Sequence, residues 1–316
     1  MTTLLMTHPA CLAHEPGSGH AERPARLEAV IAALDDEAFA GLERREASLA
    51  PLSAVARAHS PDYVRALLDA IPDRGLVSLD PDTQLSPGSG EAALRAAGAV
   101  LDAVDAVMAG EAQNAFCAVR PPGHHAEPER AMGFCLFGNA AIAALHARDR
   151  HGLERIAVLD FDVHHGNGTQ ARLWDEAGFF FASSHQMPLY PGSGAREERG
   201  ARGEILNVPL NPGDGSAAFR LAWGETVLPA LRAFAPQFVV VSAGFDGHAR
   251  DPLANLAIET ADYLWVTAEI AAVAAETAQG RLVSTLEGGY DLDALAESAA
   301  AHVTALLAAS AKTERE

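Results

Sequence analysis

The sequence predicts an α/β protein: a single domain over residues 1–316 in which a parallel sheet carries helices on both faces. Three observations lead there. Several short apolar segments run almost continuously instead of alternating with polar residues, as strands do when both sheet faces are covered. These segments alternate with stretches of 10–20 residues at helical period. No Pro/Gly/Ser linker, charge block or solenoid repeat divides the chain.

In chain order, helical periodicity covers 27–39, 62–70 and 90–109, and the first strand falls at 115–119. A helix over 139–148 precedes strands at 155–161, 179–183 and 205–209. A long helical stretch over 217–234 leads to a strand at 238–243. A helix over 260–277 then leads to a strand at 281–286, and 292–308 closes the chain as a helix. The tail beyond residue 308 reads as frayed.

Composition narrows the function. With 49% hydrophobic and 21% charged residues the chain can bury a core, which excludes a disordered class. A net charge of −19 repels phosphate backbones and anionic lipid, so neither nucleic acid nor a membrane is expected as a partner. Residues 1–12 lack the pattern of a secretory signal, and no uninterrupted apolar run reaches the ~18 residues that span a bilayer. Cys11, Cys117 and Cys135 are few and far apart, which suits a reducing compartment and a cytoplasmic location.

The chemistry lies in the residues just past each strand, because open α/β sheets bind ligands at their carboxyl ends. The segment 115–119 is followed by Arg120-Pro121-Pro122-Gly123-His124-His125, and 155–159 by Asp160-Phe161-Asp162-Val163-His164-His165-Gly166-Asn167-Gly168. Gly244-Phe245-Asp246 comes after 238–243, and Glu287-Gly288-Gly289-Tyr290 after 281–286. Four strands thus deliver His, Asp or Tyr to one edge. Asp160, Asp162 and His164 share a face if the chain there is extended. Two carboxylates and an imidazole so close call for a cation. Asp162 and His164 with Asp246 form a three-ligand O/O/N set that leaves a coordination position open, the pattern of a catalytic zinc site. A lone Asp-x-His is more often an ordinary polar strand end; the other sets at the same edge decide against that. Paired His124 and His125 offer a general base and a general acid, with Asp160 and Asn167 the nearest acceptors to fix their tautomers. Tyr290 offers a hydroxyl to an oxyanion.

These residues resemble the histone deacetylase superfamily, which includes acetylpolyamine amidohydrolases. The matching segments are RPPGHHAE (120–127), GFCLF (133–137), DFDVHHGNGTQ (160–170), SAGFD (242–246) and LEGGYDL (286–292), in the family's order. Gly19-His20-Ala21-Glu22-Arg23-Pro24 looks like the family's first rim loop. The Asn167 form and LEGGYDL look closer to the class II branch and its bacterial relatives. The resemblance implies an arginase/deacetylase-like three-layer fold. It also implies a zinc-dependent deacylase acting on acylated lysine or a related amine, with Asp162, His164 and Asp246 as zinc ligands and ferrous iron as the alternative metal. It implies that His125 is the general base, His124 its electrostatic or acid partner, Asp160 the residue orienting His124, and Tyr290 the oxyanion donor. Asn167 stands where class I members have aspartate behind the second histidine. A structural potassium ion is implied at Asp160, Asp162, His164, Ser183 and Ser184. Phe134 and Tyr190 match the aromatic walls of the substrate tunnel. Leu253 falls where polyamine-specific relatives place glutamate, which favours acyl-lysine or a compact acylated amine over polyamines. Gly138 in place of asparagine and Ala21 in place of proline depart from the pattern without touching the chemistry.

Three other readings compete. An acetylpolyamine amidohydrolase keeps the mechanism and changes the substrate. A binuclear manganese hydrolase of arginase type would need an aspartate where Gly166 stands. A non-catalytic metal-binding sensor would tolerate loss of Tyr290 or a histidine, and all are present. A homo-oligomer is compatible with the sequence, which contains nothing that specifies it.

Overall fold

The computed structural model describes residues 2–313. Its strands are β1 (Thr3–Thr7), β2 (Leu42–Glu46), the short antiparallel pair β3 (Val77–Ser78) and β4 (Gln84–Leu85), β5 (Asn114–Cys117), β6 (Ile156–Asp160), β7 (Phe179–Gln186), β8 (Ile205–Leu210), β9 (Phe238–Ala243) and β10 (Leu282–Leu286). Helices are α1 (Pro24–Leu34), α2 (Leu52–Val55), α3 (Pro61–Asp69), α4 (Ser89–Met108), α5 (Asn139–His151), α6 (Asn167–Leu173), α7 (Ser216–Ala222), α8 (Leu228–Phe234), α9 (Thr260–Thr277) and α10 (Leu292–Thr313).

Eight strands form one sheet in the order β2-β1-β5-β10-β9-β6-β7-β8, and every pairing in it is parallel. Strands β5, β6, β9 and β10 are wholly buried, which explains their unbroken apolar sequences. Helices α4 and α5 pack together on the sheet, and α1, α9 and α10 make the other helical layer, as expected of a three-layer α/β fold. The four strands whose ends carry the polar sets, β5, β10, β9 and β6, are neighbours at the middle of the sheet. All three cysteines are buried free thiols.

Several expectations need correction. Strand β6 ends at Asp160 and residues 161–164 turn, so Asp160, Asp162 and His164 do not share an extended face. Instead the Asp162 N–H donates to Asp160 Oδ1 and the His164 N–H to Asp162 Oδ1, two successive side-chain turns that wind the segment around its own carboxylates. Helix 217–234 is interrupted by a π-helical turn, Trp223–Val227, just before Pro229, whose ring nitrogen has no hydrogen to donate. The stretch expected to fray beyond residue 308 continues as helix to Thr313; residues 314–316 lie outside the described residues. Strands β1 and β2 escaped the sequence reading. The first is a five-residue run near the terminus, and the second, LERRE, is a charged edge strand without an apolar signature. Within α10, Leu292–Ala311 is long and apolar enough to cross a membrane by length and composition, but half of it is buried against the rest of the protein.

Candidate metal centre and adjoining pocket

The loops after the four central strands meet above the sheet. His164 Nδ1 lies 3.2 Å from Asp162 Oδ1 and 3.0 Å from Asp246 Oδ2. Ligand-capable atoms of the three residues all lie within 4.8 Å of one another. Backbone amides hold the carboxylates: Gly288 N–H donates to Asp162 Oδ2 and Val163 N–H to Asp246 Oδ1, both at 2.8 Å. A Cβ at Gly244 or Gly288 would collide with these carboxylates, so glycine is what lets the backbone approach so closely. Burial penalises both acids. Asp246 is raised by burial and by the adjacent Asp162 carboxylate. His164 is the mirror image: burial opposes its charge, yet the two carboxylates push it up to about 10. In the protein alone, a proton on His164 offsets part of this carboxylate charge. A divalent cation on the same O/O/N set would replace that proton, so the residues fit a metal.

The tandem histidines are in unlike surroundings. His124 Nδ1 donates to Asp160 Oδ2 at 2.9 Å, and its Nε2 lies 3.7 Å from Asp162 Oδ1. Burial opposes its protonation, but Asp162 and Asp160 outweigh burial and hold it well above the usual imidazole range. His125 Nδ1 donates to Asn167 Oδ1 at 2.8 Å. The Asn167 amide is oriented by its own donation to Glu127 Oε1 at 2.8 Å. Burial, His124 and His164 hold His125 well below the usual range. It is thus neutral, with its proton on Nδ1 and a lone pair on Nε2.

One pocket, of ≈ 210 Å³, joins these groups to the surface; its walls include His125, His164, Phe134, Tyr190, Leu253 and Tyr290. His125 and Tyr190 meet edge to face at 5.2 Å, and Phe134 and Tyr290 at 5.9 Å. Gly133 packs so tightly that a Cβ there would strike the His125 ring. Phe134 itself adopts φ 67°, held by donation of its N–H to Thr83 Oγ1 and by the edge of His20. Burial keeps the Tyr290 hydroxyl protonated well above the usual phenol range, although Arg26 pulls the other way. The sequence-predicted catalytic, metal and tunnel residues therefore lie together. Ser183 and Ser184 lie behind them on β7, where Ser183 pairs in register with Asp160. Ser183 Oγ is 2.9 Å from His185 Nδ1, and Ser184 Oγ accepts from Trp223 Nε1.

Sequence reasoning missed the supports. Glu287 Oε2 accepts from the N–H groups of Gly123 and His124, tying the histidine turn to β10. Arg26 donates to the carbonyls of Glu287 and Gly289, and its guanidinium carbon lies 4.8 Å from the Tyr290 ring centre. Glu22 forms a buried ion pair with both Arg26 and Arg120. Glu22, Arg120 and Glu287 sit inside the motif segments, and a charged residue among glycines and apolar neighbours was the available signal. Asp82, in the pocket wall, had none.

A second His/Asp group, Asp105, His146 and His151, joins α4 to α5. Their Nε2 atoms lie 2.8 Å (His146) and 2.6 Å (His151) from one Asp105 oxygen, and Arg57 donates to His146 Nδ1. Arg57 has no lone pair to offer, so the His146 proton sits on Nε2. This is a hydrogen-bonded cluster; as it stands its His146 nitrogen is not free for a metal.

Residues 20–306 match the Histone deacetylase domain family. The chain is 45% identical to the histone deacetylase-like amidohydrolase of Pseudomonas aeruginosa over 279 residues, covering 86% of this chain and 73% of that protein. It is 40% identical to the chloroplastic histone deacetylase 14 of Arabidopsis thaliana, over 96% of this chain and 76% of that one. A probable deacetylase of Archaeoglobus fulgidus is 39% identical over 93% and 82%. The crystal structure of the HDA15 HD domain superposes with a TM-score of 0.92 at 33% identity, covering 99% of this chain and 92% of that one.

Proposed function

The chain belongs to the histone deacetylase family, hydrolases of deacetylase and amidohydrolase type, and from that premise we propose that it is a zinc-dependent deacylase of acylated lysine side chains. The observation that carries this reading is a single pocket lined by His125, Tyr290 and His164, the last belonging to an O/O/N set completed by Asp162 and Asp246 buried behind it. Zinc, or ferrous iron, held by Asp162, His164 and Asp246 would supply Lewis acidity to an amide carbonyl and acidify a water beside it.

The chain's own residues do the rest. His125 Nε2 takes the proton of the attacking water, and donation of Nδ1–H to Asn167 holds the ring in that tautomer. His124, kept cationic by Asp160 and Asp162, places positive charge beside the reacting carbon. Tyr290 donates its hydroxyl to the oxyanion that forms as the carbonyl carbon becomes tetrahedral. His125 then returns the proton to the leaving amine nitrogen as the C–N bond breaks, giving a carboxylic acid and a free amine. Phe134 and Tyr190 flank the alkyl chain, where each buried methylene is worth ~0.8 kcal/mol.

The same reading places a potassium ion at Asp160, Asp162, His164, Ser183 and Ser184.

Leu253 at the mouth gives a distant ammonium no partner, which favours lysine in a peptide. Asp82 in the same pocket wall favours a second reading, an acetylpolyamine amidohydrolase, because a carboxylate there offers a cationic tail a partner. Acetate release by zinc-loaded protein from an acetyl-lysine peptide, free acetyl-lysine, and acetylated putrescine and spermidine separates the two. Preference for the peptide is expected; preference for polyamines would overturn the lysine assignment and leave the mechanism standing.

A further inference from the structure

We propose that Asp251 is a positioning residue that locks the Tyr290 loop to the Leu253 rim of the pocket. Tyr290 follows Gly288 and Gly289, the latter at φ 126°, so its backbone has more freedom than an oxyanion donor tolerates. Two opposite charges remove that freedom. On one side Arg26 takes the carbonyls of Glu287 and Gly289. On the other, Asp251 Oδ2 accepts the Tyr290 N–H at 2.7 Å, and the Asp291 N–H also bonds to this carboxylate. Meanwhile Asp251 Oδ1 accepts the Leu253 N–H at 3.0 Å.

The bonding pattern separates this role from a simple turn. An Asp251-to-Leu253 turn needs one acceptor oxygen, which asparagine also has. The second oxygen reaches a loop 39 residues away, and that is the loop bearing Tyr290. Asp251 is buried at 8% exposure, and among the described residues no basic side chain pairs with it; neighbouring Arg250 goes to Glu297 and Asp291. Burial and the nearby Asp246 carboxylate push it up to about 7, against the pull of its backbone donors. A carboxylate kept at that cost serves its backbone donors, joining the residue that bears the oxyanion donor to the residue at the pocket rim.

This inference rests on the deacylase reading, and two readouts keep them apart. Asp251→Asn retains the shape and one acceptor oxygen. It should lower kcat on an acetyl-lysine peptide on the order of 10–100-fold with little change in KM. In a Tyr290→Phe background, assayed with a trifluoroacetyl-lysine peptide whose amide is more reactive, the same change should cost less than about twofold, because its effect passes through the missing hydroxyl. Hydrogen exchange of the 289–291 amides should quicken in Asp251→Asn while peptides holding His124, His125 and Asp162 keep their protection. An equal loss in both backgrounds, or unchanged exchange at 289–291, overturns the proposal. If the wild-type protein hydrolyses no acylated amine, the deacylase reading fails and the exchange measurement alone decides whether Asp251 holds the loop.

Discussion

His125 donates its Nδ1 proton to the neutral amide of Asn167, whereas His124, its neighbour in sequence, faces the carboxylate of Asp160. That asymmetry makes one of two adjacent imidazoles cationic and leaves the other neutral. Asn167→Asp should erase it. An anion 3–6 Å from an imidazole raises its pKa by about 1–3 units. In the proposed mechanism His125 acts unprotonated, so activity should be lost as pH falls through its pKa, and raising that pKa should move the acidic limb of the kcat/KM profile upward. An unmoved limb in Asn167→Asp would remove His125 as the titrating base.

Asp246→Asn removes one carboxylate from the three-ligand set while leaving an acceptor for the Val163 N–H. Elemental analysis after dialysis should find about one zinc per wild-type chain and well under that in the variant, with the circular dichroism spectrum unchanged. Retained stoichiometric zinc would mean the ligand set is wrong. His151→Ala, at the α4–α5 cluster, should leave the zinc content as it was.

Leu253→Glu adds a second carboxylate to the pocket that Asp82 lines. The ratio of kcat/KM for acetylputrescine over acetyl-lysine peptide should rise at least about tenfold, the size of one good charge pairing. No change in the ratio would place selectivity elsewhere on the rim.

Stability should fall on mild acidification for a reason remote from the chemistry. Burial lowers His59 to about 4 and His185 and His302 to about 3. In the unfolded chain each titrates near 6.5, so below that pH the unfolded state binds protons that the folded state refuses. The stability these groups contribute is whole above pH 6.5 and drains as pH falls toward 4 and then 3, by up to about 1.4 kcal/mol per unit for each imidazole. Denaturant midpoints between pH 7.5 and 5 should show this, and a flat profile would contradict the buried neutral assignment.

Most of the site was legible because its residues sit where parallel strands end, and strand ends are visible in sequence as an apolar run that stops at a polar one. The order β5-β10-β9-β6 turns four separate segments into neighbours, which no local pattern states. The turn at 161–164 was misread because Asp and His at alternate positions look like a strand face until their carboxylates begin to accept backbone N–H groups. The supports of the site carried a weaker signal for a different reason. Glu22, Arg26, Glu287 and Asp251 act across tens to hundreds of residues of chain, and their partners are mostly backbone atoms, which carry no residue identity.

The central claim is that Tyr290 and a metal on Asp162, His164 and Asp246 hydrolyse an acylated amine together. The most direct test compares acetate release from an acetyl-lysine peptide by wild-type and Tyr290→Phe protein at equal zinc content. The account predicts wild-type turnover and a loss of about 10²–10³-fold in the variant, the usual cost of removing an oxyanion donor. Equal rates in the two proteins would contradict it.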